Sequence, residues 1–232
     1  MIAQNMKTLK KNEVCVLVPA YNESATILQV LNKISKTGAT VLVVDDGSTD
    51  STASVCKLEK NVMLIKHNHN KGYVEALNTG FNFLSKQNYK YIVTLDADNQ
   101  LSADDVVRFV DLANHDEYDL VVGNRNYMNR TSEYIFSLFS NIFLNLKDPF
   151  CGLKLYRLDS IKKFLPFDSY NLIGSELLIR SKYNNLKISH LSIISQIRNG
   201  ESKFGNNISG ELKILKACFF ILLNHFLKNK FR

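Results

Sequence analysis

Between residues 14 and 113, apolar runs of strand length alternate with stretches of helical spacing four times in succession. Val14-Cys-Val-Leu-Val18 is the first run, with Pro19 expected to stop it. Ile27, Val30, Leu31 and Ile34 then recur at helical spacing, and a helix is expected over 23–37 with Gly38 as its C-cap. The later runs are 40–44, 62–66 and 91–95, each followed by a helical stretch: a short one to about residue 59, then 72–85, then one reaching residue 113. Ser102, with Asp105 three residues on, is expected to cap the last of these. A continuous apolar run is what a strand buried on both faces requires, and strands alternating with helices make a mostly parallel sheet with helices on both faces. Such a sheet offers ligands the carboxyl ends of its strands.

Three of the four runs end in polar clusters. These are Pro19-Ala-Tyr21-Asn-Glu23, Asp45-Asp46-Gly-Ser-Thr-Asp50, and Asp96-Ala-Asp98-Asn-Gln100. Two carboxylates separated by one small residue raise each other's pKa unless a cation sits with them. Mg²⁺ or Mn²⁺ prefers hard oxygen ligands and takes its remaining ligands from water and phosphate, so one or two carboxylates suffice to anchor it. A solvated turn whose aspartates cap the next helix is the alternative for this tripeptide alone.

The 232 residues, 45% of them hydrophobic, suit one domain. After Gly123 the alternation breaks down and 124–200 reads as mixed helix and strand. The expected organisation is a basic tail over 1–12, a domain over 13–208, and a C-terminal helix over 209–232 that either lies amphipathically in a membrane interface or docks on the domain. Cys15, Cys56, Cys151 and Cys218 are scattered without a C-x-x-C pair, which suggests neither a disulfide framework nor a zinc site. The N-terminus has no signal-peptide core, and no apolar run approaches the roughly 18 residues of a membrane span, so a cytoplasmic protein is expected. The net charge of +7 gathers at the two ends: three lysines and no acid in 1–12, and five lysines with one arginine against Glu211 in 203–232. Basic ends on a near-neutral body suit the anionic cytoplasmic face of a membrane; they do not form the stripe that nucleic acid needs.

The three strand-end motifs, in this order, resemble the inverting nucleotide-sugar glycosyltransferases of the GT-A fold, often called family two. Downstream, Gly123-Asn-Arg125, Asp148-Pro-Phe-Cys-Gly152-Leu-Lys-Leu-Tyr156-Arg157, Glu176 and Arg198-Asn-Gly-Glu-Ser-Lys203 resemble its polyprenyl-phosphate (dolichyl-phosphate) mannose synthase branch. The resemblance covers roughly residues 13–205. It implies a Rossmann-like α/β fold and metal-dependent transfer of a sugar from a nucleotide diphosphate to a lipid phosphate. It assigns Pro19, Tyr21, Glu23 and Asp46 to the nucleotide, Asp96 to the nucleotide or metal, Asp98 to direct metal ligation, and Gln100 to a further metal position. Arg125 and Arg198, with Lys203, would face phosphate, since guanidinium pairs bidentately with phosphate oxygens. Glu176 would orient the acceptor; pairing with Arg180 at i,i+4 is its structural alternative. Helix capping is the alternative for Asp45 and Asp46.

A hydroxyl acceptor would need a general base, and the Asp that hydroxyl-acceptor relatives often carry is missing from Ser175-Glu176-Leu177. Transfer to a hydroxyl in polysaccharide or glycolipid assembly, and a non-catalytic sugar-nucleotide-binding module, remain the competing functions. Cys151, Leu153 and Val74 depart from the branch's usual residues, and the glycines that often follow Gly-x-Arg are absent from 126–129.

Overall fold

The structure, a computed structural model, describes residues 13–128, 131–167 and 175–195, together with Lys216 and Phe219. The basic tail, Arg198, Lys203 and, apart from those two positions, the C-terminal segment lie outside the described residues.

Seven strands form one sheet: β1 (Val14–Ala20), β2 (Thr40–Asp45), β3 (Val62–Lys66), β4 (Tyr91–Thr94), β5 (Leu120–Arg125), β6 (Lys154–Arg157) and β7 (Ile188–Ile193). Their order is β3-β2-β1-β4-β6-β5-β7, parallel throughout except for β6, which runs antiparallel to both β4 and β5. The helices are α1 (Ile27–Ser35), α2 (Thr52–Leu58), α3 (Tyr73–Leu84), α4 (Asp105–His115), α5 (Thr131–Leu144), α6 (Leu158–Ile161) and α7 (Glu176–Tyr183).

The alternating side chains of the strands feed two cores. Val14, Val16, Val18, Val41, Val43, Val93 and Val121 pack with α1, α2 and α4; Leu17, Leu42, Val44, Ile92 and Val122 pack with α3, α5, α6 and α7. Helices thus cover both faces, as the alternation implies. Cys15, Cys56 and Cys151 sit in these cores as free thiols, and burial pushes them up to about 12, 11 and 12, so they stay protonated and unreactive near neutral pH.

Local departures from the expectations have physical reasons. Pro19 does not end β1: it pairs with Val44 within the parallel β1–β2 ladder. Leu17 O accepts Leu95 N from β4, whereas Ala20 O accepts Asp46 N from the β2 side, and alternate residues of a parallel strand address opposite neighbours. Pro19 therefore addresses the β4 side, where β4 has already ended at Thr94, and its missing N–H leaves no gap. Ser102 does not cap α4, because the helix begins three residues later; its oxygens instead accept the Asp104 and Asp105 amides in a preceding turn. Nor does α1 begin at Glu23: 23–26 is a turn, with Thr26 N and Ile27 N both donating to Glu23 O.

Two features of the topology position the site. The strand order reverses between β1 and β4, opening a crevice at their carboxyl ends. Because β6 runs the other way, its first residue and the turn before it arrive at the carboxyl ends of β4 and β5: Lys154 pairs with Thr94 on one side and Val122 on the other.

Candidate active site

The loops after β1 and β2 are sewn together. Asn22, at φ 53°, takes the Thr49 N–H on its side-chain oxygen and donates its own N–H to Ser48 Oγ; Glu23 N donates to Thr52 Oγ1, and Ser24 N to Asp50 Oδ2. Partial burial opposes ionisation of Asp50, but hydrogen bonds from Thr52 and Ser24 outweigh it and hold this carboxyl at about 2. Gly47 at φ +72° makes the turn; a Cβ there would lie 2.4 Å from the His69 carbonyl carbon. Tyr21 and Glu23 sit half-buried at the rim of this double loop, and the Glu23 carboxylate accepts the Thr26 hydroxyl.

Neither aspartate of the pair caps α2. Asp45, fully buried, accepts Ser48 N on Oδ1 and has Lys66 Nζ 3.7 Å from Oδ2. Asp46 accepts Lys71 N at 2.9 Å, Gly72 N at 2.8 Å and the His67 ring at 2.7 Å, while the other His67 nitrogen meets Thr79 Oγ1. As it stands Asp46 clamps the β3–α3 connection, with three hydrogen bonds on a carboxylate that has about four acceptor positions.

The second acidic pair lies across the crevice. Tyr73, at the start of α3, donates its hydroxyl to Asp96 Oδ1 at 3.0 Å, and burial together with that carboxylate holds Tyr73 well above its ordinary value. On its other side Asp96 presses on Gly152, where a Cβ would fall 1.9 Å from Asp96 Oδ2. Thr94 Oγ1 ties the same turn down through Gly152 O at 2.7 Å. Asp98 is half-buried and accepts Gln100 N at 3.1 Å. A shallow cleft opens here, lined by Asp96, Gln100, Leu101, Arg125, Tyr127, Gly152 and Ser195. Among the described residues no group of three or more His, Cys, Asp and Glu side chains converges as a metal cage would; the oxygen donors after β4 are those of Asp96, Asp98 and Gln100. Hard oxygen donors, few in number, suit an Mg²⁺-like ion that keeps positions for water and phosphate.

Arg125 borders the cleft but is already engaged. Its Nε and Nη2 pair bidentately with Asp148 at 2.8 and 3.0 Å, and Nη2 also reaches Glu133 at 3.1 Å. Burial works against the cation, yet these two carboxylates raise its pKa further. Two negative charges on one guanidinium leave this corner without positive charge of its own. Glu176, buried at the start of α7, makes no ion pair with Arg180, which instead donates to Phe164 O and lies over the Phe164 ring. Glu176 lies near enough to Tyr156 for its charge to be felt there: burial first, then that negative charge, raises the Tyr156 pKa.

The structure thus brings Asp96, Gln100 and Arg125 to one cleft, leaves Asp98 outside its lining on the same loop after β4, and sets Pro19, Tyr21, Glu23 and Asp46 on the adjoining strand ends. Tyr73, Asp148, Gly152 and Lys154 complete this region and were not singled out as site residues from the sequence. Three of them belong to the Asp148–Arg157 stretch, whose polar residues interrupt an otherwise apolar run; Tyr73 carries no such signal.

Residues 15–165 match the family described as Glycosyl transferase family 2. The chain belongs to that family. It is a glycosyltransferase, and its sheet and helices form the GT-A fold. An uncharacterized protein of Methanocaldococcus jannaschii is 30% identical over 225 residues, covering 89% of this chain and 91% of that one. The UDP-N-acetylglucosamine–dolichyl-phosphate N-acetylglucosaminyltransferase of Methanococcus voltae is 32% identical over 127 residues, 47% of this chain and 51% of that protein. Among solved structures, glucosyl-3-phosphoglycerate synthase of Mycobacterium tuberculosis, in complex with Mn²⁺, UDP and glucosyl-3-phosphoglycerate, superimposes with a TM-score of 0.68 at 19% identity, covering 94% of this chain and 79% of that one.

Proposed function

We propose that this glycosyltransferase moves a sugar, with inversion, from a nucleotide diphosphate to a polyprenyl phosphate at the cytoplasmic face of a membrane. The observation that carries the reading is the acidic pair Asp96 and Asp98 just after β4, of which Asp96 lines a cleft beside the strand-order reversal. In-line displacement at the anomeric carbon leaves negative charge on the departing nucleoside diphosphate. A divalent cation, Mg²⁺ or Mn²⁺, would offset that charge, held by Asp98 with Asp96 and Gln100. Tyr73 and Gly152 fix the direction of the Asp96 carboxylate. Pro19, Tyr21, Glu23 and Asp46 border the nucleotide, Arg198 and Lys203 contribute cations to the phosphates, and Arg125, already held by Asp148 and Glu133, orders the edge of the cleft beside them. A lipid phosphate is anionic near neutral pH and needs no general base, which leaves Glu176 an orienting role.

A lipid-borne acceptor is supported by α5. Its inner face buries Ser132, Phe136, Ser140 and Leu144, yet its outer face exposes Tyr134, Ile135, Leu138, Phe139, Ile142 and Phe143, with Leu138 and Ile142 at 61% and 65%. A surface helix ordinarily turns polar residues outward. The Arg125–Glu133 pair ties this apolar helix to the edge of the cleft. No helix among the described residues is long and apolar enough to cross a membrane. The M. voltae relative takes dolichyl phosphate by its name, and the M. tuberculosis synthase holds Mn²⁺ and UDP.

The test is incubation with Mn²⁺, labelled GDP- and UDP-sugars, and undecaprenyl or dolichyl phosphate. Label is expected in an organic-extractable, mild-acid-labile product. Label confined to oligosaccharide contradicts the lipid-phosphate acceptor, and nucleotide binding without any transfer contradicts catalysis. Replacing Leu138 and Ile142 together by Ser is expected to weaken binding to anionic liposomes roughly thirtyfold, since each partly inserted side chain is worth on the order of 1 kcal/mol. Unchanged sedimentation with liposomes would remove α5 as the membrane contact.

A further inference from the structure

Lys154 opens β6 between Thr94 and Val122 in the middle of the sheet, and the residue is only 4% exposed. Among the described residues its ammonium has no hydrogen-bond acceptor, and no carboxylate oxygen lies within ion-pair distance of it. By contrast Arg125 close by is held by Asp148 and Glu133, and Lys33, Lys66 and Lys90 all have polar partners. A buried ammonium without a partner is costly, because desolvation removes its water and nothing replaces it. Burial accordingly lowers the pKa of Lys154, and the more distant charges of Asp96 and Asp148 offset this only in part. What exposure the residue keeps includes its Nζ, which is not wholly enclosed. A cation in that condition, beside the wall formed by Asp96 and Gly152, is arranged for a ligand that brings negative charge.

We propose that Lys154 is a phosphate ligand of this site, its ammonium donating to an oxygen of either the donor's diphosphate or the acceptor's monophosphate. The proposal rests on the reading of the cleft as a phosphate-handling site. An ammonium has three donors and no acceptor, so it repels a metal ion and gains most from an anionic oxygen. Sugar hydroxyls would leave its charge uncompensated. Arg125, neutralised by two carboxylates, does not supply the same service.

The experiment compares melting of the full-length protein and its Lys154→Met variant, alone and with pyrophosphate, with UDP plus Mn²⁺, and with farnesyl phosphate. Methionine keeps the apolar stem and removes the charge, so the free variant is expected to melt as high as the wild type or higher. The pyrophosphate shift should fall to a response roughly ten- to hundredfold weaker in affinity, the worth of a charge-assisted hydrogen bond. Lys154→Arg should keep much of the shift. Loss of the UDP–Mn²⁺ response identifies the donor diphosphate as the partner, and loss of the farnesyl phosphate response the acceptor. A wild type that responds to pyrophosphate but to neither UDP nor farnesyl phosphate leaves the assignment standing and overturns the glycosyl-transfer reading. A wild-type pyrophosphate shift retained in Lys154→Met, or the absence of that shift in the wild type, overturns the assignment. If Lys154→Met does not fold, Lys154→Gln carries the same comparisons.

Discussion

Asp98→Asn is expected to lower sugar transfer by about a thousandfold or more while leaving the fold in place. The half-buried side chain accepts the Gln100 amide through Oδ1, and an asparagine oxygen can accept the same bond. Local structure therefore survives and the charge alone is lost. Removing one preorganised group that stabilises developing charge costs roughly 10²–10³ in rate, and losing an anchoring metal ligand costs at least as much. The check pairs steady-state turnover with a melting curve. Wild-type turnover in a folded Asp98→Asn protein would remove the metal assignment from this position.

Gly152→Ala should separate activity from stability in a different way. The added methyl would lie 1.9 Å from Asp96 Oδ2 and 2.7 Å from Oδ1, so the carboxylate has to swing off the Tyr73 hydroxyl. Gly152 is not among the glycines at positive φ, so crowding of the carboxylate, and not backbone strain, is the cause. Stability should fall by about 1–3 kcal/mol, the usual range for overpacking, and by less if Asp96 rotates freely. Turnover should fall by on the order of 10²-fold, because a displacement of about 1 Å in a positioned group has that effect. Near-normal turnover would mean that the orientation of Asp96 does not matter to the chemistry.

Much of the architecture was legible because buried parallel strands must be continuously apolar. Val14–Val18, Val41–Val44 and Val62–Lys66 announce themselves, and the carboxylates that end the first, second and fourth runs stand where such a sheet binds ligands. Less legible was whatever depends on non-local pairing. Nothing near Lys154 in the chain says that β6 enters antiparallel between β4 and β5, so the convergence of Asp96, Gly152, Asp148 and Arg125 could not be read from spacing. Pro19 looked like a stop because a missing amide usually is one; only the early end of β4 makes it harmless. Asp46 illustrates the reverse case. Its motif position suggests a nucleotide contact, and spacing alone gives no hint of what the structure adds: the backbone amides of Lys71 and Gly72 and the His67 ring also bond its oxygens from more than 20 residues away. Helix α5 escaped because its large apolar residues point outward as well as inward and serines share the buried face, so no single apolar stripe marks it.

The end of β4 is expected to hold a metal–diphosphate. The most direct measurement is anomalous diffraction at the manganese edge from crystals grown with Mn²⁺ and UDP. The account predicts one strong peak in the cleft, with an Asp98 carboxylate oxygen and a diphosphate oxygen each within roughly 2–2.5 Å. A bound UDP whose diphosphate lies away from Asp96 and Asp98, or a manganese peak that Asp98 does not reach, would contradict it.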